Sequence, residues 1–359
     1  MSTAPTTTGA LRLKSCLASS LIVALACLAY RYAPFSFHQR QFSEVYGLGD
    51  FRFTAGQYFF WAACAYIVAL AIFHAIERTG QASKALRTLR VAVGFLRAPV
   101  QAWRIGLVAD DRLAVLTSLL KAFFAPLMAV TLMTFCHGAI ANAAALFAAD
   151  TQVGESGLLR GRSFWVVLQL VLFVDVLVFT AGYLIELPAL DNQIRSVDRT
   201  LYGWAAALAC YPPFNVVTGT ILGSTMSDFP QFDDATIHAV LNALVLALMA
   251  FYAWASVALG WKGSNLTHRG IVARGPYALI RHPAYISKNL AWWIGSLPVF
   301  QQAFAMSWLS GLLSILSMFC WSALYLLRAL TEEDHLKSVD GDYAAYASRV
   351  RYRFVPGLA

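Results

Sequence analysis

Residues 237–260 read IHAVLNALVLALMAFYAWASVALG, without one Asp, Glu, Lys or Arg. A helix needs about 20 mostly apolar residues to cross a bilayer core, where lipid satisfies no backbone polar group. This stretch therefore predicts a membrane-spanning helix, and its flanks predict its direction. The loop before it, 223–235, has Asp228, Asp233 and Asp234 but no Lys or Arg. The segment after it, 261–285, carries Lys262, Arg269, Arg274 and Arg281. Basic loops stay in the cytosol, so this span should run from outside to inside.

Working outward, seven more stretches have comparable character: 15–33, 57–76, 113–135, 163–185, 201–222, 286–302 and 304–328. The expectation is an all-α, polytopic membrane bundle of about eight transmembrane helices. The 286–302 stretch is short, and 137–149 is apolar enough to be a re-entrant or interfacial piece. Loop 78–112 holds Arg78, Lys84, Arg87, Arg90, Arg97, Arg104 and Arg112, which assigns it to the cytosol. Both termini then lie inside. The arginines of 34–56 fall on the outer side, the weakest point of the scheme. Arg12 and Lys14 before the first span suit a signal peptide or a retained signal anchor, and the lack of a convincing cleavage site favours the anchor.

Composition agrees. Of 359 residues, 59% are hydrophobic and 13% charged, against about 25% charged in soluble domains. Mean hydropathy is +0.59. The net charge of +8 sits in short inter-span segments, where it orients the chain and meets anionic lipid; no nucleic-acid partner is implied. Alanine richness points to a bacterial inner membrane. The six cysteines are scattered without a CxxC pair, so neither a zinc site nor a disulfide framework is suggested. In 82–107, Leu86, Leu89, Val93, Leu96, Val100 and Trp103 recur at helical spacing among arginines, which suits an amphipathic helix on the membrane surface or a connector packed on the bundle. Pro212 and Pro213 predict a kink or break in the fifth span. Asp175 and Lys121 fall inside spans, where charge is functional by default, although Lys121 can snorkel and Asp175 can be a buried polar contact. Trp292 and Trp293 read as interfacial belt residues.

Polarity returns in two stretches near the C-terminus. The first runs from Gly270 through Gly275-Pro276-Tyr277 and Arg281-His282-Pro283-Ala284-Tyr285. The second contains Arg328, Glu332, Glu333 and His335, then Tyr343 and Tyr346, and ends in a Tyr-Arg-Phe-Val-Pro-Gly run at 352–357. Two spans joined by a short turn near Pro298 separate them. Both ends of such a hairpin lie on one membrane face, so the two stretches should meet there. Arg281 and His282 offer donors for a carboxylate or phosphate. Arg328 and Glu332, four apart, share a helix face, with His335 three further on.

This order, RHPxY, a helical hairpin, a double glutamate and a Tyr-rich tail ending in YRxxPG, resembles the isoprenylcysteine carboxyl methyltransferase family and its bacterial relatives, including phospholipid methyltransferases. The likeness covers about 236–359. It implies a division into an N-terminal transmembrane region, 1–235, and a methyltransferase-like core, 236–359. It also implies a cytosolic helical site for S-adenosylmethionine, capped by the C-terminal segment. Carried over by motif, Gly275, Pro276, Tyr277, Arg281, His282, Pro283, Tyr285, Glu333 and Tyr346 would line the cofactor site. Arg328 and Glu332 would act where the cofactor meets a hydrophobic or lipid-linked substrate. Ala284 at the motif's fourth place and the five extra N-terminal spans depart from the family pattern. NADPH-dependent sterol-type reductases share RHPxY, but they usually carry Asn where Ala284 stands and lack the double glutamate. A transporter or lipid-binding protein on the same bundle is the non-catalytic alternative.

Overall fold

The computed structural model describes residues 4–33, 36–48, 50–77, 80–148, 161–223 and 230–357. Arg78 and Asp228, both used above to orient loops, lie outside them. The chain forms two compact units, Met1–Thr131 and Leu132–Ala359. The second unit thus takes in the residues on both sides of position 235. Helix α6 (Ala109–Ala148) crosses the boundary between the units.

In the first unit, α1 (Ala4–Arg31) is followed by α2 (Ser36–Ser43) and a hairpin of β1 (Val45–Leu48) and β2 (Phe51–Thr54). Thr54 then starts α3 (Ala55–Ile76) with a capping box: its hydroxyl accepts from Gln57 N, and the Gln57 side chain accepts from Thr54 N. Leu13, Leu17, Leu21, Leu25 and Leu28 form an exposed apolar stripe at helical spacing along α1, a face suited to lipid rather than water. The amphipathic segment is two helices, α4 (Lys84–Arg97) and α5 (Pro99–Ile105). Pro99 can open a helix but cannot continue one, so the break falls at Ala98. Leu86 is buried, whereas Leu96, Val100 and Trp103 are exposed.

The second unit holds the end of α6, then α7 (Arg162–Leu184), β3 (Ser196–Val197), α8 (Leu201–Leu208), α9 (Phe214–Leu222), α10 (Ala235–Leu259), β4 (Thr267–His268), α11 (Pro283–Gly295), α12 (Leu297–Met306), α13 (Trp308–Val339) and α14 (Asp342–Arg349). Among the described residues six helices are long and apolar enough to cross a membrane: Gly9–Arg31, Ala55–Ile76, Ala109–Phe147, Arg162–Leu184, Ala235–Lys262 and Trp308–Val339. The chain is therefore a predominantly helical, multi-pass membrane protein.

Two of the eight expected spans are broken, for local reasons. The 201–222 stretch divides into α8 and α9 at the predicted Pro212–Pro213 site, and neither piece is long enough alone. The 286–302 stretch divides at Ser296, with Pro298 in the first turn of α12. The hairpin turn accordingly falls at Ser307, whose hydroxyl caps α13 by accepting from Ser310 N, and not at Pro298. The apolar piece beyond 135 continues α6 as one helix through Ala148, without re-entry.

The core that fixes the site joins α7, α10 and α11 through Phe164, Leu168, Val245, Leu246, Met249 and Ala291. Asp175 is buried here and has two partners across α10: the Tyr252 hydroxyl donates at 2.7 Å and the Ser256 hydroxyl donates to the other oxygen. It is a buried polar contact within the bundle. Near the C-terminal end of α7 the backbones nearly touch, and a Cβ on Gly182 would lie 1.9 Å from the Gly263 carbonyl oxygen. Gly182→Ala should therefore destabilise the second unit by about 2 kcal/mol or more, because backbone has to shift. Thermal unfolding in detergent, compared with Gly341→Ala where an added Cβ meets nothing within 4 Å, checks this.

Candidate active site

The Arg-His-Pro corner is shaped by its glycine and prolines. Gly275 has φ of 57° and opens a short 3-10 turn, Gly275–Ala278. A Cβ there would sit in left-handed backbone, 3.2 Å from the Ala258 Cβ. Pro283 starts α11, which leaves the amides of Arg281 and His282 outside any helix. They donate instead to the carbonyls of Tyr352 and Arg353, both at 2.9 Å. The tail is thus held to the corner by main chain. Tyr346 adds a hydroxyl bond to the Tyr277 carbonyl at 2.9 Å, and Tyr343, Tyr346 and Val350 pack against Ile271 and Leu336. Burial pushes the Tyr346 hydroxyl up to about 12 against the opposing charge of Arg281, so it stays a donor at neutral pH.

Glu333 is the hub beneath this corner. It is 1% exposed, with Oε1 at 2.9 Å from Arg281 Nε, 3.2 Å from His282 Nε2 and 3.2 Å from Arg353 Nε. Lys337 Nζ approaches Oε2 at 3.4 Å. The His282 ring stacks on Tyr285, with centroids 5.5 Å apart and planes 7° apart. The donors read from sequence as a receptor for an external anion therefore hold a carboxylate of the chain itself.

One turn earlier on α13, Arg328 is buried and ringed by tyrosines. Its guanidinium carbon lies 5.3 Å from the Tyr211 ring centroid, 5.2 Å from Tyr285 and 6.0 Å from Tyr325. One terminal nitrogen donates to Asn265 Oδ1, and Nε lies 3.7 Å from Glu332 Oε1. Asn265 is positioned in turn by Tyr183, whose hydroxyl accepts from its backbone N at 2.8 Å and its Nδ2 at 2.9 Å. Glu332 accepts from the Tyr285 hydroxyl. His335 Nε2 lies 3.1 Å from Ser196 Oγ on β3, which pairs with β4 in the register Ser196↔His268.

These groups surround a cavity of about 210 Å³. Tyr277, Arg281, His282, Tyr285, Arg328, Glu332 and Tyr346 line it, as does His335. Gly275, Pro276, Pro283 and Glu333 are not among its lining residues; they shape or brace the groups that are.

No protein-family model, curated protein or solved structure matches the chain.

The sequence reading missed several lining residues. Tyr211 and Tyr252 lay unremarked in spans and Asn265 in a loop, while Arg269 was read only as a charge that orients that loop. Arg269 is 2% exposed and donates to the Asn192 carbonyl at 2.8 Å, while its Nε and Nη2 have no hydrogen-bond partner among the described residues. Burial pulls this guanidinium below its ordinary value, with Glu186 opposing. Lys288 also lines the cavity. The signal that could have found it is its charge inside an otherwise apolar stretch.

Proposed function

We propose that this chain is an integral-membrane, S-adenosylmethionine-dependent methyltransferase that acts on a lipid or lipid-linked acceptor at the cytosolic interface. The observation that carries the reading is the meeting of Arg328 and Glu332 with the Arg281–His282 corner around one tyrosine-lined cavity. The lining suits an amino-acid cofactor that carries both signs of charge. Arg328 Nε and two nitrogens of Arg269 are buried donors without hydrogen-bond partners among the described residues, matched to a carboxylate. Glu332, 29% exposed at its side chain, and the tyrosine faces suit an ammonium and a sulfonium.

The cofactor, when bound, supplies an electrophilic methyl group. The chain's own part is to bind, align and dry the site. Alignment and water exclusion are the terms that speed an in-line displacement which consumes charge. The tail segment, through its pairing with Arg281 and His282, shields the corner from water. A carboxylate acceptor needs no base and would be oriented by Arg328. For an amine or hydroxyl acceptor, Glu332 or His335 is placed to receive the proton.

The purified protein is expected to show a concentration-dependent rise in unfolding temperature with S-adenosylhomocysteine and none with NADPH. Incubation with methyl-labelled S-adenosylmethionine and a bacterial lipid extract should transfer label to an extractable lipid. Stabilisation by NADPH alone would instead point to the reductase chemistry and overturn the proposal.

A further inference from the structure

Lys288 is a charge that the methyl-transfer reading leaves unused. It stands three residues after Tyr285 on α11, on the same face and about 4.5 Å further along the axis. Its ammonium lies over two rings, 5.5 Å from the Tyr252 centroid and 5.1 Å from Trp292. Among the described residues no carboxylate oxygen lies within 4.0 Å of it, and it donates no hydrogen bond. The nearby acid, Asp175, is already taken up by the hydroxyls of Tyr252 and Ser256. A lysine in an apolar helix, facing a cavity without a bonded partner, is set to receive something from outside the chain.

We propose that Lys288 is the receptor for a fixed negative charge on the acceptor amphiphile, a carboxylate or phosphate distinct from the group that is methylated. This rests on reading the cavity as the reaction site. Tyr285 marks the reacting end, through its bond to Glu332. The anion would therefore lie further along α11 than the methyl-accepting atom, on the Trp292 side. Beyond Lys288, outside the cavity lining, the packing is aromatic: Trp292 packs edge-on against the lining residue Tyr325, at 5.1 Å and 85°, and against Trp321. An apolar chain suits the faces of Tyr252 and Tyr325, which line the cavity, and an anion held by an ammonium seated over two rings gains more than one in open water.

The test uses the full chain in non-ionic detergent and four single-chain amphiphiles of equal length, with binding read by native mass spectrometry. Stearate carries a carboxylate and stearoyl lysophosphatidate a phosphate; stearoyl lysophosphatidylcholine and octadecanol have no net charge. At least one anion is expected to bind tenfold or more tightly than octadecanol and the zwitterionic lysophosphatidylcholine, and which one does so identifies the headgroup. Lys288→Met should bring all four within about twofold, while Lys288→Arg keeps most of the preference. No anion preference in the wild type, or one that survives in Lys288→Met, overturns the proposal. If Lys288 merely balances Asp175, the wild type shows no preference and Asp175→Asn restores stability lost in Lys288→Met. The S-adenosylhomocysteine thermal shift separates the two claims. Its absence alongside a Lys288-dependent preference removes the transferase and leaves the receptor, and its presence without that preference does the reverse.

Discussion

Glu333→Ala should cost the protein about 3–5 kcal/mol of stability, the range found when one member of a buried ion pair is removed. The loss falls mainly on two partners. Arg281 and His282 have side chains 10% and 8% exposed, so without the carboxylate they stay desolvated and lose their closest acceptor. Arg353 and Lys337, at 34% and 46%, can turn to solvent and should contribute little. The lesion should also be local, because the same corner holds the tail. Limited proteolysis is expected to cut the 340–357 region of the variant sooner than the rest of the second unit. Glu333→Gln keeps an acceptor for Arg281 and should fall between the two. A melting temperature for Glu333→Ala equal to wild type would show that the surrounding side chains do not depend on this carboxylate.

Arg328→Ala should reduce the proposed methyl transfer at least about 100-fold, the scale on which misplacement by an ångström acts. The more informative variant is Arg328→Lys, which keeps the charge. Arg328 reaches Asn265 and Glu332 while its plane faces Tyr211, Tyr285 and Tyr325. Lysine is a point charge without a fork and cannot meet both partners from one position among three rings. Its turnover is expected to stay within tenfold of the alanine variant. Steady-state rates measured beside S-adenosylhomocysteine affinity would separate lost binding from lost alignment. Recovery of wild-type turnover in Arg328→Lys would mean that charge alone suffices and the tyrosine ring is incidental.

The candidate site was legible in sequence where its residues are neighbours along the chain or along one helix. Arg281, His282 and Pro283 are adjacent, and Arg328 and Glu332 are one helical turn apart. A helical hairpin was enough to bring the two sets together, even though its turn lies at Ser307 and Pro298 only divides its first limb. What could not be read were the partners supplied from outside that hairpin. Asn265 reaches Arg328 across 63 positions and is held by Tyr183 across 82. Asp175 meets Ser256 across 81. Periodicity shows which face of a helix is apolar, but not which distant helix will cover it. The broken spans failed for a different reason. A hydropathy reading sums composition over about 20 residues, and neither the Pro212–Pro213 break nor that at Ser296 changes the sum.

The pairing of the tail with the corner sets neighbouring positions under opposite pressures. Tyr352 and Arg353 both lend carbonyls to the corner, a service any residue can perform. Only Arg353 also lends its side chain, to Glu333. Among descendants of this gene, position 352 should drift freely while 353 stays basic, and the spacing of the tail should outlast its spelling.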